Sequence, residues 1–225
     1  MCAGRSEQIA EPGSFFLFEV AGESLIVVRH PSGAARALYN VCRHRGTRMC
    51  TQTEGRFKGA IQCPYHAWTY GLDGSLLVAR MMEGTPGFDR AEYPLHAAAI
   101  AEFEGFLFVS LAPDEPFEQS FAPLFGRFDR WRLGRLRSAK RIAYEPACNW
   151  KLIFQNYSEC YHCPVIHPQV EQLSAWDSGR NDLMEGPFLG GYMTLRDVRG
   201  SLTTTGHSSR PPLETLPEDD IGRVY

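Results

Sequence analysis

Two short segments each pair one cysteine with one histidine: Cys42-Arg-His-Arg-Gly-Thr47 and Cys63-Pro-Tyr-His-Ala-Trp68. Eighteen residues separate His44 from Cys63, and each segment follows a predicted strand. If the fold brings the two loops together, they offer two thiolates and two imidazoles to one metal centre. The pattern therefore predicts a centre with mixed sulfur and nitrogen ligands at this point of the chain.

A Rieske-type [2Fe–2S] cluster uses this donor set, with thiolates on one iron and imidazoles on the other, which raises its reduction potential over an all-cysteine cluster. A zinc site is the alternative, but zinc fingers usually pair cysteine with cysteine and histidine with histidine. Here each pair is mixed, which favours iron and sulfide over zinc. Of the other five cysteines, Cys2, Cys50 and Cys148 are interpreted as structural or incidental thiols.

A second constellation lies in the run from Asn149 to Pro168. On a predicted helix over Asn149–Tyr161, the side chains of Asn156, Glu159 and His162 share one face, because they recur at three-residue steps. The histidines also fit ordinary hydrogen bonding at a polar helix end. The helical spacing alone therefore leaves the role of this face open.

His167 lies five residues after His162 and would point elsewhere on an uninterrupted helix. Pro164 disfavours helical backbone at Cys163 and interrupts the hydrogen-bond ladder, so we expect the chain to turn and bring His167 back. Two imidazoles placed in this way, with a carboxylate from elsewhere, would form a 2-His-1-carboxylate site for non-haem Fe(II).

The first half of the chain is typical of short strands separated by turns. We interpret residues 1–112 as a small antiparallel β domain. Its predicted strands are Ser14–Val20, Ser24–Arg29, Ala35–Val41, Gly59–Cys63, Ser75–Val78, Ala98–Phe103 and Phe106–Leu111.

The composition changes at Ala112-Pro-Asp-Glu-Pro116, which we interpret as a linker before a second domain at 113–225. Apolar residues at steps of three or four predict an amphipathic helix over Phe117–Leu133, although Pro123 and Gly126 limit its regularity. A strand is predicted at Lys140–Glu145.

Composition excludes several classes of protein. The chain has 225 residues, of which 44% are hydrophobic and 22% charged, as in ordinary globular domains. A net charge of −3 predicts no nucleic-acid partner, and no stretch is apolar enough to span a membrane. Seven cysteines without an export signal predict reduced thiols in the cytoplasm and no disulfide framework.

Taken together, the motifs resemble those of the α-subunits of Rieske non-haem iron oxygenases. The resemblance covers residues 2–170 and includes Asn149-Trp-Lys-Leu152 and the run from Asn156 to Pro168. It implies an α+β architecture: an N-terminal antiparallel β Rieske [2Fe–2S] domain, followed by part of a helix-grip catalytic domain. A non-enzymatic Rieske electron carrier is an alternative that would need only residues 1–112.

The resemblance also implies a role for each residue of the two constellations. Cys42 and Cys63 would bind one iron of the cluster, and His44 and His66 the other. His162 and His167 would bind the catalytic Fe(II), with Asn156 close by. Glu159 would bridge the cluster of one subunit and the mononuclear iron of the next, between the neighbouring subunit's His66 and its own His162.

The implied reaction is reductive activation of O2 and hydroxylation of a small organic substrate. A partner flavin/iron–sulfur reductase would deliver electrons from NAD(P)H, and such α-subunits usually form homotrimers. Glu159 at the bridging position resembles the branch that acts on choline, glycine betaine or carnitine, for which an aromatic cage is expected. Ring hydroxylation of an aromatic acid is the alternative.

The chain departs from the family in two respects. The third iron ligand, an Asp or Glu in the family, is expected beyond Tyr225. Both ends resemble truncations, so we expect a catalytic half that folds poorly or binds iron weakly, and the chain as an inactive fragment is a further alternative.

Overall fold

The computed structural model describes residues 1–183, 188, 190–211 and 213–224. The chain divides into two compact units. The first unit comprises Met1–Gln119 and Arg132–Ala139, and the second comprises Ser120–Trp131 and Lys140–Tyr225. Each unit is described separately.

Within the described residues, the first unit contains ten strands. They are β1 Cys2–Arg5, β2 Ser14–Val20, β3 Glu23–Arg29, β4 Ala35–Tyr39, β5 Glu54–Arg56, β6 Ala60–Gln62, β7 Thr69–Gly71, β8 Leu76–Val78, β9 Ala97–Phe103 and β10 Phe106–Ser110. Seven of them form one antiparallel sheet in the order β1-β10-β9-β4-β3-β2-β5. The other three form a smaller antiparallel sheet in the order β6-β7-β8.

Strand β3 is buried on both faces of the large sheet. Leu25, Ile26, Val27 and Val28 all have no exposed surface. Because successive side chains of a strand point to opposite faces, Leu25 and Val27 enter one apolar cluster, whereas Ile26 and Val28 enter the other. The second of these clusters also contains the two cysteines of the predicted metal centre, so the cluster loops are anchored in a packed core.

The small sheet positions one of the two cysteine–histidine loops. Gln62 at the end of β6 pairs with Thr69 at the start of β7, so residues 63–68 form the connection of a hairpin. The next turn, between β7 and β8, contains Gly74 at φ +91°, where an added Cβ would lie 3.0 Å from a methyl carbon of Leu38. The small sheet is therefore held close to β4 of the large one.

The second unit combines short helices with a three-stranded antiparallel sheet in the order β11-β12-β13. In this unit the Asp220 carboxylate, 5% exposed, accepts hydrogen bonds from Arg130 and Arg223, so its buried charge is paired. The strands are β11 Arg180–Leu183, β12 Gly190–Thr194 and β13 Arg223–Val224. The helices are α2 Trp150–Tyr157, α3 Cys163–Ile166 and α4 Pro168–Leu173, and a single turn, α1 Phe117–Ser120, lies at the junction of the units.

The strands predicted for the first half are confirmed with shifts of one or two residues at their ends, and β1, β5 and β7 were not predicted. The long helix predicted over Phe117–Leu133 is wrong. Its segment consists of α1 and separate 3₁₀ turns, because Pro123 starts a new turn and Gly126 has a left-handed φ of +76°.

The strand predicted at Lys140–Glu145 is also wrong, since these residues have no regular structure and all are exposed. A strand needs a partner and a buried face, and this segment has neither among the described residues. Among all the residues that the structure describes, no helix combines the length and the apolar character that crossing a membrane requires.

Candidate iron centres

The loop after β4 is held by two backbone hydrogen bonds. The Cys42 N–H donates to the Thr47 carbonyl at 2.8 Å, and the Gly46 N–H donates back to the Cys42 carbonyl at 3.0 Å. Gly46 has a left-handed φ of +72°, which lets the chain reverse within five residues. Cys42 and His44 are therefore presented by a closed turn.

The loop between β6 and β7 repeats this arrangement. The Cys63 N–H donates to the Trp68 carbonyl at 2.8 Å, and the Ala67 N–H donates to the Cys63 carbonyl at 3.1 Å. Ala67 occupies the position equivalent to Gly46 and has φ +56°, although it carries a Cβ. The two loops thus share one hydrogen-bonded frame, which was not evident from their different sequences.

The two cysteines face each other in the core and are each only 2% exposed. Burial raises the pKa of the Cys42 thiol, and the neighbouring Cys63 raises it further. Hydrogen bonds from Tyr70 and from the His44 backbone lower this pKa, but the net shift is upward. A thiolate at this depth requires a cation beside it, and an iron ion meets this requirement. The pair fits the sulfur side of a cluster.

Tyr70 is a further member of the site. Its hydroxyl oxygen accepts the Arg43 N–H at 3.2 Å and lies 3.4 Å from the Cys42 Sγ. Because the oxygen already accepts one hydrogen bond, the hydroxyl proton is available to Sγ. Burial, together with the contact to Cys42, raises the pKa of the phenol, so it remains a donor. No local pattern in the sequence identifies it, because it meets Cys42 across 28 residues.

The two histidines of the loops also lie together. The ring centroids of His44 and His66 are 4.7 Å apart, and His44 stacks on Trp68 at 4.8 Å. Burial, then the charge of His66 and of Arg45, lowers the pKa of His44. The neutral imidazole that results is the form that binds metal. The structure thus brings the two predicted cysteines together and the two predicted histidines together, and these pairs fit the sulfur and nitrogen sides of a cluster of two irons with bridging sulfide.

In the second unit, α2 is capped by Asn149, whose side chain accepts the Lys151 N–H at 3.0 Å. The helix ends at Tyr157, four residues earlier than predicted. Ser158 is the C-cap: its N–H donates to the Phe154 and Gln155 carbonyls, and its hydroxyl donates to the Phe154 carbonyl at 2.7 Å. The expectation that Asn156, Glu159 and His162 share a helical face is therefore wrong, because Glu159 and His162 lie beyond the helix.

Glu159 and His162 nevertheless meet in the turn that follows. The His162 Nδ1 lies 2.7 Å from Glu159 Oε1, and the Tyr161 N–H donates to Oε2 at 3.0 Å. The hydrogen bond from His162 lowers the pKa of the Glu159 carboxyl, which favours the carboxylate. With Nδ1 engaged by a carboxylate, His162 presents Nε2 to a metal ion.

His167 also approaches His162, with 5.3 Å between ring centroids. Pro164 lies in the first turn of α3, so it starts a short helix and does not break a long one as predicted. The His167 N–H closes this turn on the Cys163 carbonyl at 2.8 Å. Two imidazoles that bind one ion through bonds of about 2.1 Å have ring centres about 5 Å apart, so the spacing fits a shared iron.

Neither a hydrogen bond from Asn156 nor a third ligand is found at this pair in the described residues. Asn156 lies in the last turn of α2 with an exposed side chain, and in the described residues no hydrogen bond joins it to Glu159, His162 or His167. In that same part of the chain, no three His, Cys, Asp or Glu side chains converge on one ion. A Rieske cluster does not require such a group, because each of its irons takes two protein ligands.

The expectation of reduced thiols holds for five cysteines and is wrong for two. Cys2, Cys42, Cys50, Cys63 and Cys148 are free, whereas Cys160 and Cys163 form a disulfide. The Cys-x-x-Cys spacing was the signal in the sequence. The bond joins the residue after Glu159 to the residue after His162.

Comparisons with known proteins match both parts of the chain. The family described as the Rieske [2Fe–2S] domain matches residues 1–89, and the family described as the catalytic domain of the ring-hydroxylating α-subunit matches residues 133–225. The carnitine monooxygenase oxygenase subunit of Acinetobacter baumannii is 35% identical, over 75% of this chain and 46% of its own length.

Two further relatives are similar. The glycine betaine monooxygenase oxygenase subunit of Pseudomonas aeruginosa is 36% identical, over 79% of this chain and 41% of its own. A crystal structure of a quaternary ammonium Rieske monooxygenase matches with a TM-score of 0.78 and 31% identity, over 87% of this chain and 55% of its own. The chain thus spans less than half the length of the two curated relatives. These matches confirm the resemblance and the α+β architecture: the chain belongs to the α-subunit family of the Rieske non-haem iron oxygenases.

Proposed function

We propose that this chain is the oxygenase component of a Rieske oxygenase system that hydroxylates a small quaternary ammonium compound. The observation that carries the proposal is the presence of two donor sets in one chain: two thiols with two imidazoles, and a histidine pair anchored by a carboxylate. An electron carrier needs only the first set. The second set favours an enzyme.

In this proposal, Cys42, His44, Cys63 and His66 hold the [2Fe–2S] cluster, and His162 and His167 hold the mononuclear Fe(II). When bound, the two iron groups supply the electron relay and the reductive activation of O2. The protein supplies orientation: Glu159 fixes the Nδ1 side of His162, and Tyr70 donates to the sulfur of Cys42. Asn156 is retained as an orienting residue near the iron.

The proposal includes partners and an assembly. Glu159 is exposed and carries a carboxylate with capacity for another hydrogen bond, which suits a bridge to the neighbouring subunit's His66 in a homotrimer. A flavin/iron–sulfur reductase would supply electrons from NAD(P)H. Five free cysteines are consistent with the cytoplasm, where thiols are kept reduced.

The substrate class rests on the curated relatives, whose names specify carnitine and glycine betaine. A trimethylammonium group is recognised by aromatic faces rather than by ion pairs alone. In this proposal, the predicted domain of residues 1–112 binds the cluster, and the predicted domain of residues 113–225 binds the mononuclear iron and the substrate.

The test is metal and sulfide analysis of the full chain after anaerobic reconstitution with Fe(II) and sulfide. We expect two irons and two sulfides with a Rieske-type EPR signal on reduction, and a third iron that His162→Ala removes while the cluster remains. Cys63→Ser should abolish the cluster, whereas Cys148→Ser, at an exposed free cysteine, serves as the matched control. Zinc without sulfide would contradict the proposal.

Turnover is tested separately, as O2 consumption with a reductase and NAD(P)H. Stimulation by carnitine or glycine betaine supports the proposed substrate class. Stimulation by an aromatic acid, and by neither quaternary ammonium compound, would contradict the proposed substrate class and favour ring hydroxylation.

A further inference from the structure

The disulfide between Cys160 and Cys163 has no part in either iron centre as described above. Cys163 is 5% exposed and Cys160 is half-buried, and the Cα atoms are 5.1 Å apart. The bond closes a loop of only four residues, so it constrains the unfolded chain much less than a long-range disulfide does. A purely stabilising role therefore explains it poorly.

The loop encloses the contacts that orient the Glu159 carboxylate. The two residues between the cysteines are Tyr161, whose N–H donates to Oε2, and His162, whose Nδ1 contacts Oε1. The Cys163 N–H closes the turn by donating to the Cys160 carbonyl at 2.9 Å. Closing or opening the disulfide therefore acts on the backbone that carries both contacts.

The second histidine is tied to the same loop. The His167 N–H donates to the Cys163 carbonyl at 2.8 Å, and the His162 carbonyl accepts the Ile166 N–H at 2.9 Å. The relative position of His162 and His167 thus depends on the turn that the disulfide closes. With the bond formed, the two rings have a spacing that fits one metal ion.

We propose that Cys160 and Cys163 are an oxidation site: a reversible dithiol that hydrogen peroxide closes, and whose closed form holds His162 in its ligand position. The oxidation itself is independent of the proposed function, whereas the effect on His162 rests on the proposed mononuclear iron site. Reversibility is argued from the rest of the chain. The other five cysteines are free, and an isolated Cys-x-x-Cys pair in such a chain is typical of a redox pair.

The chemistry balances with peroxide as the only oxidant. The thiolate of Cys160, the more exposed of the two, attacks one peroxide oxygen, the O–O bond breaks, and the leaving hydroxide takes a proton to become water. The Cys163 thiol then displaces a second water from the sulfenic acid as the S–S bond forms. Two thiols are oxidised by two electrons, one peroxide is reduced, and a dithiol reductant reverses the reaction.

The first experiment measures the thiols of the full chain after reduction, desalting and addition of one equivalent of peroxide. We expect loss of two thiols, assigned by peptide mass to Cys160 and Cys163, and their recovery with dithiothreitol. Cys163→Ser should stop at a sulfenic acid on Cys160, which dimedone traps. Cys148→Ser, at an exposed cysteine of the same unit, should behave as wild type. A pair that stays reduced while Cys148 or Cys2 is oxidised would overturn the proposal.

The second experiment measures Fe(II) release to a chelator from the oxidised and reduced forms of the same preparation. We expect release at least fivefold faster from the reduced form and from a Cys160→Ser/Cys163→Ser variant. Equal rates would overturn the effect on His162. If neither form binds Fe(II), the proposed iron site is contradicted instead, and the thiol measurement alone decides the oxidation site.

Discussion

Ala67→Gly should stabilise the cluster-binding unit, because Ala67 has a left-handed φ of +56° in the second loop. Left-handed backbone costs a residue with a Cβ about 1–2 kcal/mol. Glycine removes this cost but makes the unfolded chain more flexible, which offsets about 0.4–1 kcal/mol. The net expectation is about 0.5–1 kcal/mol of added stability, and a rise in Tm of about 2–5 °C for a unit of this size.

Gly46→Ala is the matched reverse substitution in the first loop. An added Cβ at Gly46 meets no atom within 4 Å, so the change introduces backbone strain and no clash. The same arithmetic predicts a loss of about 0.5–1 kcal/mol. The two substitutions therefore test the shared hydrogen-bonded frame of the two loops, because they should change the free energy of unfolding in opposite directions.

The assay is thermal and urea unfolding of the cluster-loaded chain, followed by the visible absorbance of the cluster and by circular dichroism. The double substitution should return close to wild type. If Ala67→Gly lowers the midpoint, the methyl group of Ala67 makes contacts worth more than the strain. If Gly46→Ala leaves the midpoint unchanged, the equivalence of the two loops is refuted.

Three further predictions concern single side chains. Tyr70→Phe removes the hydrogen-bond donor to the Cys42 sulfur and should lower the reduction potential of the cluster by tens of millivolts. For one electron, about 59 mV corresponds to a tenfold change in the equilibrium constant. An unchanged potential in a redox titration would refute the hydrogen bond. Hydrogen bonds from Ser75 hold the pKa of the Asp73 carboxyl below its usual value. The stability that the Asp73 carboxylate contributes is therefore fully present above the ordinary carboxyl pKa and is lost as the pH falls through the lowered pKa. Urea midpoints measured between pH 2.5 and about 5 should show this loss of stability, and Asp73→Asn should make the loss smaller. Glu159→Gln should retain both iron groups yet slow single-turnover electron transfer at least tenfold, and unchanged turnover would remove the bridging role.

The local features of both centres could be predicted because they depend on residue types at short spacing. A cysteine and a histidine two or three residues apart must belong to one loop, whatever the rest of the chain does. Short apolar runs bounded by turn residues likewise identify β2, β3 and β4. The donor set and the β architecture of the first unit were therefore accessible.

Other features depend on contacts between distant or competing groups. Tyr70 meets Cys42 across 28 residues, and no local pattern specifies that contact. Helix α2 ends at Tyr157 with Ser158 as its C-cap, which places Glu159 in the turn that follows. Helical periodicity placed Glu159 and His162 on one helix face, because it contains no signal for where the helix ends; the structure brings the two side chains together in a turn.

The amino-acid sequence was sufficient for the two cysteine–histidine pairs, their order along the chain and the family. The folded chain was needed to show the common frame of the two loops, the left-handed Ala67, the contact between Glu159 and His162 across a turn, and the closure of Cys160 on Cys163. The physical reason is that ligand chemistry belongs to individual side chains, whereas hydrogen-bonded frames arise from the paths that the backbone takes between them.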